Sequence, residues 1–314
     1  MSEAERLSGR IRNLERRAVM LRAIRQFFDQ HRFVEIEAPI LVPSPGLEVH
    51  LDAFALDEPR ANRYLITSPE YQMKRLLAGG MKRIYSLGKV FRRGERGAHH
   101  NPEFTMLEWY RAGAGWQAVA DDFEALMAAI GFPGAWERLS VADACARWAG
   151  VRIEGDEDLP SLREKITRAG HRLPDDGTWD DLFFALFLDA VEPHLAGAQV
   201  ILYDWPRPLA ALAREKPGDP RVVERFEAYA HGLELCNAFG ELTDPVEQRR
   251  RFTADLAARE ARGLPAYPID ERFLAALAEL PASAGIAVGV DRLAMLLTGA
   301  TEIRDVLPFA DEEL

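Results

Sequence analysis

Residues 91–110 read FRRGERGAHHNPEFTMLEWY, and the run RIYSLGKV stands directly before them. Two apolar and aromatic runs flank a polar stretch with two glycines, which is the pattern of a hairpin with a long loop. Regular alternation along 103–110 sends Phe104, Met106, Glu108 and Tyr110 to one face, so an aromatic platform and a carboxylate share a surface. Arg92 ends the preceding strand and reaches that surface with a planar guanidinium suited to phosphate oxygens. A surface hairpin with a charged rim fits the same residue types. His99 and His100 are adjacent, so they point apart in an extended loop and make no natural chelate.

Working outward, Leu14, Ala18, Leu21, Ile24 and Phe28 recur at helical spacing with Arg16, Arg17, Arg22 and Arg25 between them, predicting an amphipathic helix over 13–30. FVEIEAPI (33–40) follows as a strand in which Val34, Ile36 and Ala38 alternate with Glu35 and Glu37, and Pro39 marks a bulge or an end. After the strand RYLIT comes SPEYQMKRLLAGG, with Ser68 as cap, Pro69 at the first helical position and Gly79-Gly80 as stop. Glu70 then sits at a strand-to-helix corner. Residues 115–199 are rich in Ala and Leu and read as a mainly helical insertion. DPVEQRRRF opens a helix capped by Asp244, and GIAVGV runs as a small-residue strand into a helix starting near Asp291 and Arg292.

VERFEAYAHGLELCNAF (223–239) reads as a second hairpin turning at His231-Gly232. That turn pairs Tyr229 with Glu234 and Ala228 with Leu235, leaving Glu227 diagonal to Glu234 on one face. Two converging carboxylates repel unless a cation lies nearby, and oxygen-only ligands favour Mg²⁺. A solvent-facing acidic hairpin is the alternative. Strict alternation sends Asn237, Phe239 and Glu241 to the face opposite Glu234, so a shared pocket requires a bulge, which Gly240 makes affordable. Gly289 allows a close backbone approach, and Arg292 in a first helical turn suits an anion.

Grouped strands with hairpins predict an α+β fold with an antiparallel sheet flanked by helices, as one domain over 1–314. The chain is 48% hydrophobic, and Lys+Arg 39 against Asp+Glu 50 gives a net charge of −11. That excludes a disordered linker and argues against broad affinity for polyphosphate. Two cysteines, a charged beginning and the lack of long apolar runs predict a cytoplasmic protein with neither a disulfide framework nor a membrane span. No GxxxxGK[ST] loop occurs.

Together, FRRGERGAHHNPEFTMLEWY and GIAVGVDRLAM resemble motifs 2 and 3 of class II aminoacyl-tRNA synthetases, and FVEIEAPI resembles their motif 1. SPEYQMKRL and ELCNAFGELTDP narrow the resemblance to the lysyl type. Only residues 1–32 precede FVEIEAPI, which leaves no room for an OB-fold anticodon-binding domain. The chain thus resembles the stand-alone paralogues that attach (R)-β-lysine to a lysine of elongation factor P.

This resemblance implies ATP-dependent formation of an aminoacyl adenylate, Mg²⁺, a homodimer built through the first helix and FVEIEAPI, and no tRNA partner. It also implies roles: Arg92 and Arg292 as catalytic residues on the α- and γ-phosphates, His100 toward the triphosphate, Asn101 in the ATP site, Phe104 stacked on adenine, and Glu227 and Glu234 on Mg²⁺. For the amino acid, (R)-β-lysine or lysine, it implies Ser68, Glu70 and Glu241 (both glutamates toward the side-chain amine), Glu108, Tyr110, Asn237 toward the carboxylate, and Ala287 where lysyl-tRNA synthetases have glycine. Synthetases usually read FRNE, whereas this chain has Arg93-Gly94 and places Glu95 one position later. A truncated lysyl-tRNA synthetase, an ammonia ligase acting on aspartate and a non-catalytic amino-acid sensor are the competing readings. Intact Arg92, Arg292, Glu227 and Glu234 count against the sensor, and the acidic pocket counts against aspartate.

Overall fold

The computed structural model describes residues 2–57 and 62–314. Two compact units divide the chain, one built from the segment up to Pro133 with Thr243–Leu314 and the other from Gly134–Leu242. In the first unit the strands Val34–Glu35, Arg83–Phe91, Glu103–Ala112 and Ser283–Gly289 lie in that order. The last three pair antiparallel, and Val34–Glu35 joins the edge in parallel. The α+β expectation holds, as does the long-looped hairpin, in which Phe91 pairs with Glu103 and Ser86 with Glu108.

Helix Glu3–Gln30 starts earlier than its apolar periodicity predicts, because Ser2 and Glu5 form a capping box: Ser2 N donates to Glu5 Oε2 at 2.7 Å and Glu5 N to Ser2 Oγ at 3.2 Å. Its buried face is Arg10, Arg17, Met20, Ile24, Phe27 and Phe28, while Ala18 is exposed. Arg17 therefore corrects the expected stripe. Its guanidinium meets Asp291 at 2.5 Å and Thr105 Oγ1 at 3.0 Å, and a charge is tolerated inside a protein only with such partners. Phe28 stacks on Tyr85 at 4.4 Å and meets the edge of Trp109 at 5.2 Å, fastening the helix to the sheet.

FVEIEAPI departs further from expectation. Only Val34 and Glu35 pair, with Ile84 and Tyr85, and Val34 is 51% exposed. A bond from Ile36 N to Tyr85 O at 2.7 Å is followed by Pro39, which has no donor to extend an edge strand. Helix Glu70–Ala78 begins one residue later than predicted, with Pro69 preceding it, and Ser68 Oγ accepts from Glu70 N at 3.0 Å. Asp244 caps Pro245–Ala261 as expected, accepting from Val246 N at 2.8 Å.

The second unit pairs Leu233–Gly240, Asp219–Ala230, Gln199–Pro206 and Glu137–Ser140 in that order. Its core gathers Leu162, Ile166, Leu182, Phe183, Phe187 and Trp205 from helices and sheet. Of the stretch 115–199, helix Trp116–Ala129 falls in the first unit, and strand Glu137–Ser140 interrupts the helical text.

Candidate active site

An acidic corner forms in the first unit where the strand ending at Leu65 passes through Ser68 into helix Glu70–Ala78. Glu108, from strand Glu103–Ala112 of the other sheet, is buried and accepts from Ser68 Oγ at 2.8 Å and from Tyr110 Oη at 2.5 Å. Tyr110 is two residues on, so the predicted alternation brings hydroxyl and carboxylate together. Burial, then the charge of Glu70, pushes the Glu108 carboxyl up to about 8 against those two hydrogen bonds and Lys74. Glu70 pairs with Lys74 one helical turn later, and Lys74 is 1% exposed. Sequence reading missed Lys74, although the i, i+4 spacing was its signal. It missed Glu48 too, whose carboxyl is raised to about 7 by burial and then by Glu70, with Arg92 opposing. No periodicity marks the loop that carries Glu48.

Arg92 lies with its guanidinium 5.1 Å from the Phe104 ring centroid, and its Nη1 is 3.5 Å from Glu95 Oε1. The displaced Glu95 thus meets Arg92 itself, and Arg92 Nε is buried with no hydrogen-bond partner among the described residues. A planar cation beside a half-buried ring matches a purine and its phosphates. Arg292 Nη2 stands 2.6 Å from His100 Nε2. Guanidinium can only donate, so His100 accepts there and carries its proton on Nδ1. Asn101 is spent on the backbone: its Nδ2 donates to Glu103 O at 2.6 Å and its Oδ1 accepts from Asp311 N at 2.9 Å.

Ala287 pairs with Glu108 across the antiparallel ladder, as Ser86 does on the other side. Its methyl shares the face of Glu108 and packs against the Val42, Ile66, Val90 and Met106 cluster. A Cβ at Gly289 would meet Arg292 only at an ordinary 3.7 Å, so the described chain itself does not demand glycine there.

In the second unit His231 and Gly232 both adopt positive φ, 51° and 77°, the type I′ turn that a two-residue hairpin favours. Tyr229 faces Glu234 as expected, but Ala228 faces Cys236 rather than Leu235, because a bulge intervenes. That bulge is the one a shared pocket requires. It lies near the turn instead of at Gly240, whose bare Cα is pressed against Glu224. Glu227 now faces Asn237 directly, and Arg225, Glu227, Tyr229, Glu234 and Asn237 share one surface. Arg225, absent from the sequence reading, donates to Glu227 Oε1 at 2.5 Å and to Asn237 Oδ1 at 3.2 Å. Burial raises the Glu227 carboxyl to about 7; Arg225 opposes and Glu234 reinforces the shift. Glu241 is fully buried and bridges Ala213 at the end of the strand.

The family described as tRNA synthetases class II (D, K and N) matches residues 6–313. Among curated proteins, the elongation factor P--(R)-beta-lysine ligase of Vibrio cholerae is 41% identical, with 95% of each chain covered. Proteins of the same name from Proteus mirabilis and Haemophilus influenzae are each 40% identical, with 96% of each chain covered.

Proposed function

The chain belongs to the class II tRNA synthetases of the D, K and N group, and from that premise we propose that it is an ATP-dependent ligase that activates (R)-β-lysine and joins it to a lysine of elongation factor P. The observation that carries this reading is near-full-length similarity to ligases of that name, joined to an acidic corner in which Glu70 and Glu108 await a polycationic substrate. No helix of the described residues is long and apolar enough to cross a membrane. The protein works in the cytoplasm, as a homodimer and without tRNA.

The substrate carboxylate is already a nucleophile, so the first step needs positioning and charge stabilisation more than a general base. A carboxylate oxygen attacks the α-phosphorus of ATP, and the bond to the bridging oxygen breaks as pyrophosphate leaves. Arg92 faces the equatorial oxygens, where charge accumulates. Phe104 stacks on adenine. Arg292, held by His100, receives the γ-phosphate. In the second step the neutral ε-amine of a protein lysine attacks the mixed anhydride, AMP leaves and an amide forms. In the first unit Ser68, Glu70, Glu108 and Tyr110 hold the amines; Glu241 and Asn237 of the second unit keep the roles that the family resemblance implies for them.

Glu227 and Glu234 offer only oxygens, and Glu234 adds to the upward push on the Glu227 carboxyl, a donor set that fits Mg²⁺. When bound, the ion would neutralise phosphate charge. Asn101 anchors the loop beside the ATP site through its two backbone bonds. Incubation with ATP, (R)-β-lysine and elongation factor P, read by intact mass, tests the proposal. A gain of one lysyl unit on the protein is expected, whereas charging of tRNA with no protein product would overturn it.

A further inference from the structure

Glu48 lies in the loop between strands Leu41–Val42 and Ala55–Leu56. Its Oε2 is buried and finds no hydrogen-bond partner among the described residues. The nearby Thr67 hydroxyl is committed to Pro45 O at 2.6 Å. Gly46, at φ +116°, presents a bare Cα to the carboxylate, since a Cβ there would stand 2.6 Å from Glu48 Oε2. Leaving a buried carboxylate oxygen unsatisfied is costly, and here it stands beside the like charge of Glu70, which in turn acts on Glu108. Lys74 is already paired with Glu70, and the other cation, Arg92, acts on Glu48. Three carboxylates against these two cations leave a deficit of positive charge that a doubly charged diamine acid would fill.

We infer that Glu48 is a specificity-determining residue whose carboxylate receives the substrate ammonium nearer the carboxyl end. Arg92 is the cation acting on Glu48, and Arg92 faces the phosphate and carboxylate end of the substrate. An ammonium bound at Glu48 therefore belongs to the amine close to that carboxylate, not to the distal one. The inference rests on the diamine-activating reading above.

The test is pyrophosphate exchange with the full chain and its Glu48→Gln variant. Glutamine keeps the shape and removes an unpaired buried charge, so the variant should melt at or above the parent temperature. Its KM for (R)-β-lysine should rise about 10- to 100-fold, the loss expected for a charged hydrogen bond, with kcat falling much less. As competitive inhibitors, 3-aminohexanoic acid should weaken by the same factor and 6-aminohexanoic acid should bind both proteins alike. Glu48→Asp, which keeps the charge, should recover part of the affinity. An unchanged KM, or a loss confined to 6-aminohexanoic acid, overturns the inference while the ligase reading stands. A parent protein that exchanges with neither (R)-β-lysine nor lysine overturns both.

Discussion

Arg225 and Glu227, two positions apart on one strand, are joined through Nη2 and Oε1 at 2.5 Å, and the same guanidinium reaches Asn237 on the opposite strand. Both partners of the pair are largely buried. Removing Arg225 would leave Glu227 facing Glu234 without its neutralising neighbour, the situation in which a broken buried pair costs most. Arg225→Ala should lose about 3 kcal/mol of unfolding free energy in urea. Adding Glu227→Gln to that variant should restore part of the loss. Additive effects of the two changes would show that the pair is not coupled.

Arg92→Ala should nearly abolish adenylate formation, because the lost guanidinium faces charge that grows as the α-phosphorus becomes five-coordinate. Losing one such donor costs about 3–4 kcal/mol, or roughly 10²- to 10³-fold in rate. Pyrophosphate exchange within tenfold of the parent would remove Arg92 from this role. Weaker ATP binding with turnover intact would make it a positioning residue.

The Glu108 carboxyl is raised in the folded protein, first by burial and then by Glu70, to about 8 from the ordinary 4.5. The native state therefore holds a proton that the unfolded chain releases, and stability falls as pH rises between those values. Without substrate, the melting temperature should decline from mildly acidic to neutral pH, with a shallower slope in Glu108→Gln. Substrate binding needs the ionised form, so KM for the diamine should fall as pH rises through the same range. Parallel slopes for the two proteins would contradict the assignment.

The motif-2 hairpin and its shared face were legible because period-two alternation and a glycine-containing loop are local signals, and Glu108 with Tyr110 followed from them. The bulge in the second hairpin was legible only as a condition: if Glu234 and Asn237 serve one pocket, the register must slip. What stayed hidden were charges whose partners are distant in sequence. Arg17 reads as a solvated helix residue until Asp291 is placed beside it, and Arg225 reads as an ordinary strand charge until Glu227 and Asn237 share its face. Glu48 had no signal at all, since what distinguishes it is an oxygen left without a partner.

Val34 and Ile36 offer apolar surface on a sheet edge that the described residues leave open, next to the first helix. A dimer through this edge should be visible by light scattering in dilute solution. Val34→Asp, which places a charge in that interface, should shift the protein toward monomer and lower exchange activity with it. A monomeric parent with full activity would refute the arrangement.

Ala287 stands across the ladder from Glu108, with its methyl on the face that carries the carboxylate. Glycine at this position, the residue characteristic of lysyl-tRNA synthetases, would leave space beside Glu108 for the α-amine of lysine. The methyl crowds that space, while an amine one carbon further from the carboxylate avoids it, so the pocket should prefer (R)-β-lysine although both isomers carry the same charges. Shape then decides between them. A one-carbon steric difference is worth about 1–3 kcal/mol, so Ala287→Gly should improve α-lysine activation by about one to two orders of magnitude. KM for ATP should change little, because Ala287 packs against Val42, Ile66, Val90 and Met106 and its methyl contributes little to their cohesion. Measuring kcat/KM for both isomers with both proteins settles the cause of selectivity. An unchanged preference ratio would shift it from the methyl to the carboxylates, with Glu48, Glu70 and Glu108 the next positions to vary.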